Sequence, residues 1–214
     1  MTKAVFFDFD GTLADTAPDL AAALNQLRTA RRLAPLGVGD VRPYASMGAR
    51  GMLRIGFGLT PEDPEYASLR DAFLDNYGKR VCVETRLFPG MAELLRELEA
   101  RAIAWGIVTN KAVRFTECLV ATLGLRPACT SCGDSTPHLK PHPASLLLAA
   151  EKLRLPAQEC VYVGDDLRDV QAARAARMRA IAVEWGYHNP DNEGPRTWNA
   201  DAVIATPLEL LEHL

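Results

Sequence analysis

The sequence predicts an α/β protein, a Rossmann-like doubly wound parallel sheet with an inserted α-helical cap. Three features carry that expectation. Short β-branched or aromatic runs alternate with helical periods from about residue 86 to the C-terminus, a run of the same kind opens the chain, and a helix-period block near 16–85 interrupts the alternation directly after it. Such alternation buries parallel strands between helices on both faces and puts ligands outside the carboxyl ends of the strands. The expected division is a core of residues 1–15 and 86–214 and a cap of residues 16–85.

Taken in order, Lys3 to Phe9 is β-branched and aromatic, a short buried strand running into Asp8-Phe9-Asp10-Gly11-Thr12. Pro18 suits a helix start, and Leu20, Leu24 and Leu27 follow on one helical face through about Arg32. A glycine-marked stretch (Gly48, Gly51, Gly56, Gly58) leads to a second periodic run from Glu65 to Val81, bearing Leu69, Phe73 and Tyr77. After Phe88-Pro89-Gly90 come a helix at Met91 to Arg101, a strand at Ala102 to Val108 and a helix at Val113 to Leu123. A strand near Ala128 to Cys132, a helix at Pro143 to Leu153 and a strand at Cys160 to Gly164 continue the pattern. A helix at Leu167 to Ala176, a strand at Arg179 to Glu184, a strand at Ala202 to Ile204 and a last helix at Leu208 to Leu214 complete it.

With 48% hydrophobic and 24% charged residues in 214, the composition excludes disordered, collagen-like and coiled-coil chains. A net charge of -3 gives no electrostatic reason to bind nucleic acid or an anionic membrane, so a small anionic substrate needs a local trap. The N-terminus meets an acid after four apolar residues, and no later apolar run approaches the length of a membrane span. A cytoplasmic protein is expected, monomer or homodimer. The five scattered cysteines are expected as reduced thiols.

Four polar clusters fall where strands end. They are Asp8-Phe9-Asp10-Gly11-Thr12, Thr109-Asn110-Lys111, Lys140-Pro141 and Gly164-Asp165-Asp166-Leu167-Arg168-Asp169. Strand alternation turns Asp8 and Asp10 the same way and Phe9 into the core. Several clusters have a plainer reading alone. Asp165 or Asp166 can cap the helix at Leu167, Asp169 can favour its dipole, Thr109 can cap the next helix, and Lys140 can be a surface lysine. All four in this order on an alternating scaffold point to one crevice.

Together these motifs resemble those of the haloacid dehalogenase superfamily of phosphohydrolases, over essentially the whole chain. The resemblance implies Asp8 as the nucleophile that becomes an aspartyl phosphate and Asp10 as general acid and base. It implies a magnesium ion on the Asp8 carboxylate, the Asp10 carbonyl and the Asp165 carboxylate, with Asp166 or Asp169 as outer partner. Oxygen-only ligands suit Mg²⁺. Thr109, Asn110 and Lys140 are expected on the phosphoryl group. Dehalogenases of the superfamily lack the second Asp, so Asp10 favours phosphate chemistry. The chain looks most like phosphoglycolate phosphatases, and segments such as Trp105 to Lys111 also resemble N-acetylmuramic acid 6-phosphate phosphatases. A sugar-phosphate mutase of the β-phosphoglucomutase type, or a catalytically silent binding protein on the same fold, is the alternative.

In Ser46-Met47-Gly48-Ala49-Arg50-Gly51, the glycines allow close backbone approach and Arg50 is expected to grip an acid on the leaving group, against a plain reading as a surface arginine. Cys129-Thr130-Ser131-Cys132 lacks a second ligand pair and is expected to be structural. His138 and His142 are expected as solvated or supporting residues, His188 as a residue that rims the site or merely ends a loop, and the run Arg168, Arg174, Arg177, Arg179 as a solvated face.

Overall fold

The computed structural model describes residues 2–189 and 191–214. Its strands are β1 (Ala4–Phe7), β2 (Ala14–Asp15), β3 (Arg86–Leu87), β4 (Ala104–Val108), β5 (Cys129–Ser131), β6 (Cys160–Gly164), β7 (Arg179–Val183) and β8 (Ala202–Ile204). The helices are α1 (Ala17–Ala30), α2 (Val38–Val41), α3 (Gly48–Phe57), α4 (Tyr66–Gly78), α5 (Met91–Ala100), α6 (Val113–Thr122), α7 (Ala144–Leu153) and α8 (Leu167–Ala175).

Six strands form one parallel sheet in the order β5-β4-β1-β6-β7-β8. Side chains alternate faces, and both faces are covered. Val5, Phe7, Ile107, Val163 and Ile181 pack with Leu94 and Leu98 of α5 and Leu119 of α6. Ala4, Phe6, Tyr162 and Ala182 pack with Leu146 and Ala149 of α7 and Val170 and Ala173 of α8. Burying a Phe or Leu side chain contributes about 1.5–3 kcal/mol, so the run Ala4–Phe7, buried at every residue, anchors both layers at once. From the central β1 the order departs to β4 on one side and β6 on the other, which opens a crevice at their carboxyl ends.

Between β2 and β3 lie α1 to α4. Leu20, Leu24, Met52, Leu53, Leu69 and Phe73 pack together and join the core of the first sheet face. The ends of this segment are tied. Ala14 pairs with Leu87 and Asp15 with Arg86 in an antiparallel ribbon, and the fully buried Asp19 carboxylate accepts from Glu84 N–H, Thr85 N–H and Thr85 Oγ1 at 2.8–3.1 Å. No helix among the described residues is long and apolar enough to cross a membrane.

The elements lie where the periodicity puts them, apart from the short α2, which no period announces, and three further differences. The glycine-marked stretch holds α3, because Gly56 lets Leu24 of α1 approach where a Cβ would collide with it. The β2–β3 ribbon has two residues per strand, too short to leave a periodic signal. The expected last α-helix is a 3₁₀ run at Pro207–His213, a tighter winding common in short terminal segments.

Replacing Asp19 by Ala strips several buried donors of a charged acceptor, so denaturant unfolding should show a loss of about 2–4 kcal/mol. Asp19→Asn, which keeps one acceptor oxygen, should lose less.

Candidate active site

β1 ends one residue before Asp8. The Asp8 Oδ1 accepts from Phe9 N–H at 2.7 Å and lies 3.0 Å from Lys140 Nζ, while no donor among the described residues reaches Oδ2. Phe9 is buried in the core, and the chain doubles back at Gly11, whose φ of +84° disfavours any other residue. A Cβ at Gly11 would fall on the Asp165 carboxylate, so this turn brings the first and last acidic segments together.

On one side of β1, β4 delivers Thr109, whose Oγ1 accepts from Lys111 N–H at 3.2 Å. Asn110 is committed to the backbone of Lys140. Its Oδ1 accepts from Lys140 N–H at 2.8 Å and its Nδ2 donates to the Lys140 carbonyl at 3.1 Å, so it braces the loop that aims the lysine. The Lys140 ammonium is buried among Asp8, Asp169 at 2.7 Å and the Tyr162 hydroxyl at 2.7 Å. Burial works against its charge, but Asp169 and Asp8 outweigh it and raise its pKa above the ordinary lysine value.

On the other side, β6 delivers three acids with separate surroundings. Asp165 is fully buried and accepts from Thr12 Oγ1 at 3.1 Å, Ser46 Oγ at 3.0 Å and Tyr187 N–H at 2.9 Å. Burial first, then the charges of Asp8 and Asp169, push its pKa well above the usual carboxylate range. Asp166 caps α8 by accepting from Arg168 N–H at 2.9 Å and is clasped by the Arg168 guanidinium, which holds its carboxyl low against the effect of burial. Asp169 completes the capping box by accepting from Asp166 N–H at 3.0 Å and turns its other oxygen to Lys140. Burial raises Asp169 to about 6, with Lys140 opposing and Asp8 adding to the rise. Ligand oxygens of Asp8, Asp165 and Asp169 lie within 4.8 Å of one another, a buried carboxylate cluster able to hold a metal ion. Asp166 lies outside that cluster.

The Asp10 carboxylate meets Lys111 Nζ at 2.8 and 3.0 Å and accepts from Thr16 Oγ1. Burial opposes the charge of Lys111, yet Asp10 and Tyr77 hold its pKa above the ordinary lysine value. Tyr187 steadies the same corner. Its hydroxyl accepts from Thr16 N–H at 2.6 Å and Ala17 N–H at 3.0 Å. Lys111, Thr16 and Tyr187 were not singled out from the sequence as site residues, and neither was Ser46 for its bond to Asp165. Only the strand-end position of Lys111 signalled it.

Asp8, Asp10, Thr109, Asn110, Lys140, Asp166 and Asp169 all line one cavity of about 450 Å³. Leu20, Phe73, Leu74, Tyr77, Phe115 and Leu139 give it an apolar lining, and Ala45 to Ala49 line it as well. Arg50 corrects the expectation: it is exposed and does not line the cavity, because α3 turns it outward while the preceding residues face in. Arg168 corrects another. It is half-buried between Asp166 and the Ser46 carbonyl at 2.9 Å and lines the cavity instead of belonging to a solvated face. His188 packs on Trp198, His138 and His142 face each other at 4.4 Å, and none of the three lines the cavity. All five cysteines are free, and no metal-type cluster among the described residues includes one.

Residues 2–177 match the model of the haloacid dehalogenase-like hydrolases. An N-acetylmuramic acid 6-phosphate phosphatase of Pseudomonas putida is 42% identical over 210 residues, covering 97% of this chain and 94% of the relative. A phosphoglycolate phosphatase of Xanthomonas campestris pv. campestris is 39% identical over 212 residues, covering 98% and 95%. Among solved structures, a protein from Lactobacillus delbrueckii subsp. bulgaricus superposes with a TM-score of 0.87 at 26% identity, covering 100% of this chain and 98% of the other. A hydrolase from Pseudomonas syringae superposes with 0.76 at 25%, covering 99% and 97%.

A raised Asp169 has a measurable signature. Its folded pKa near 6 exceeds an unfolded value near 3.8, so its protonation stabilises the fold fully below the unfolded value and ceases to do so as pH rises through the folded one. In EDTA, Asp169→Asn should therefore gain thermal stability relative to the unmodified protein between pH 4.5 and 7. A difference in Tm that stays flat over that range would contradict the crowding.

Proposed function

The chain belongs to the haloacid dehalogenase-like hydrolases, and from that membership we propose that it is a Mg²⁺-dependent phosphatase acting on a small phosphate monoester through an aspartyl phosphate on Asp8. We assign residues 1–15 and 86–214 to the α/β core and residues 16–85 to the cap that covers the site. The observation that carries the reading is the half-dressed Asp8. Oδ1 is held by Phe9 N–H and Lys140, Oδ2 is left without a donor among the described residues, and both sit at the strand-end crevice within a crowded acid cluster.

The cluster fits a hard dication. Its donors are carboxylate oxygens only, and burial leaves Asp165 with too little compensating positive charge, as its raised pKa indicates. We assign Asp8, the Asp10 carbonyl and Asp165 as ligands, with Asp169 as outer partner and Asp166 as helix cap. When bound, Mg²⁺ offsets the negative charge gathered between the carboxylates and the phosphoryl oxygens.

In the first half-reaction, Asp8 Oδ2 attacks phosphorus, the P–O bond of the ester breaks, and the departing oxygen takes a proton from Asp10. Lys140 steadies the charge on Asp8, and the Thr109 hydroxyl donates to a phosphoryl oxygen. In the second, water loses a proton to Asp10 and attacks phosphorus, the bond to Asp8 breaks, and phosphate leaves. Lys111 holds Asp10 until the incoming dianion competes for the lysine's charge.

The cavity supports a substrate larger than a two-carbon ester. Its volume of about 450 Å³ suits a ligand with an extended leaving group, since pockets of about 300–1,000 Å³ hold drug-sized molecules. Between N-acetylmuramic acid 6-phosphate and 2-phosphoglycolate, this volume favours the sugar phosphate.

Asp8→Asn should lower phosphate release by at least about 10³-fold while leaving Tm within a few degrees of the parent, because the amide keeps the Oδ1 acceptor. Undiminished turnover would remove Asp8 from the mechanism. EDTA should abolish hydrolysis of p-nitrophenyl phosphate and Mg²⁺ restore it. Among monoesters ranked by kcat/KM, N-acetylmuramic acid 6-phosphate should stand above 2-phosphoglycolate, hexose phosphates and nucleotides.

A further inference from the structure

Five cations line the cavity, and four of them are spoken for. Lys140 is paired with Asp8 and Asp169, Lys111 with Asp10, Arg168 with Asp166 and Arg70 with Asp71. Arg114 is exposed like Arg50 but, unlike it, lines the cavity, and its guanidinium has neither a carboxylate within 4.0 Å nor a hydrogen-bond acceptor among the described residues. It sits on the first turn of α6, and its guanidinium lies 4.4 Å over the ring of Phe115. Phe115 meets Tyr77 edge-on at 5.1 Å, and Lys111 Nζ lies 4.8 Å from the Tyr77 ring. Two aromatic rings therefore stand between the cation that holds Asp10 and the one cavity cation without a partner among the described residues.

We propose that Arg114 is the specificity residue of the site, taking a carboxylate on the leaving group of the phosphate ester while the ring of Phe115 holds its guanidinium in place. The inference rests on the phosphatase reading above and deepens it. The phosphoryl end binds among Asp8, Thr109 and Lys140, the leaving group extends through the cavity towards α6, and a planar guanidinium binds the carboxylate in bidentate fashion. Its stacking on Phe115 limits the rotamers that binding would otherwise have to freeze. This arrangement supplies the acid grip that the sequence suggested for Arg50 from a different element.

The test compares N-acetylmuramic acid 6-phosphate with the same amino-sugar 6-phosphate lacking its carboxylate-bearing lactyl ether. The unmodified protein should prefer the carboxylate ester in kcat/KM by about 10- to 100-fold, the worth of one charge-assisted contact. Arg114→Met should bring that ratio close to one, chiefly through KM, and Arg114→Lys should recover part of it. Arg50→Met should retain the preference. A ratio unchanged in Arg114→Met, or one that collapses in Arg50→Met instead, overturns the assignment of Arg114 while leaving the phosphatase reading intact. If the unmodified protein releases phosphate from p-nitrophenyl phosphate but from neither sugar ester, the substrate reading fails and the role of Arg114 fails with it. If it releases none from any ester, the phosphatase reading itself is overturned.

Discussion

Too much negative charge is gathered in too small and dry a place. Asp8, Asp165 and Asp169 bring ligand oxygens within 4.8 Å of one another, and a single buried ammonium, that of Lys140, stands among them. Removing the cation from such a buried arrangement commonly costs about 3–5 kcal/mol, because the acids around it are left uncompensated. The surroundings of the cluster answer that difficulty. Lys140 bridges two acids, Tyr162 and the Val108 carbonyl fix the ammonium, and Asn110 holds the lysine's own backbone. Asp165 draws three donors from three separate segments. What remains uncompensated shows in the raised pKa values of Asp165 and Asp169, the electrostatic condition under which a hard dication binds.

The sheet makes such crowding possible. Parallel register carries β1, β4 and β6 to the same level, so the residues following each strand meet without long loops. The local backbone then separates acids adjacent in sequence. At the start of α8, Asp166 is spent on the helix cap and on Arg168, and the capping box that satisfies it turns Asp169 back to Lys140. One helix start thus makes Asp166 a cap and leaves Asp165 and Asp169 in the cluster, the latter bridged to the lysine.

The layered fold was legible in the sequence because strands buried on both faces read as short apolar runs and the amphipathic helices between them kept their period. The strand-end clusters were legible for a related reason: ionised groups directly after an apolar run have few structural uses. Which of Asp166 and Asp169 joins the acid cluster was not, since both stand at the start of α8 and only their hydrogen bonds tell them apart. Lys111 pairs with Asp10, Arg168 with the Ser46 carbonyl and Tyr187 with backbone amides in ways that depend on tertiary approach. Arg50 failed for a reason of helix phase. The glycines did mark a backbone that lies over the cavity, but residues 46–49 face it and Arg50 rotates away.

The segment between β2 and β3 lines the cavity and is also bound into the electrostatics of the cluster. Ser46 donates to Asp165, and its carbonyl accepts from Arg168, the same arginine that clasps Asp166. Two of the three acids after β6 therefore register the position of this one residue, directly or through Arg168. Any motion that lifts residues 46–49 removes a donor from a fully buried carboxylate and frees part of a guanidinium beside it. Loss of the Ser46 donor favours a proton or cation on Asp165, whereas its return helps Asp165 remain ionised once water is excluded. The position of Ser46 and the charge on the acids beneath it are thus linked, because its hydroxyl meets one acid and its carbonyl meets the arginine that clasps another.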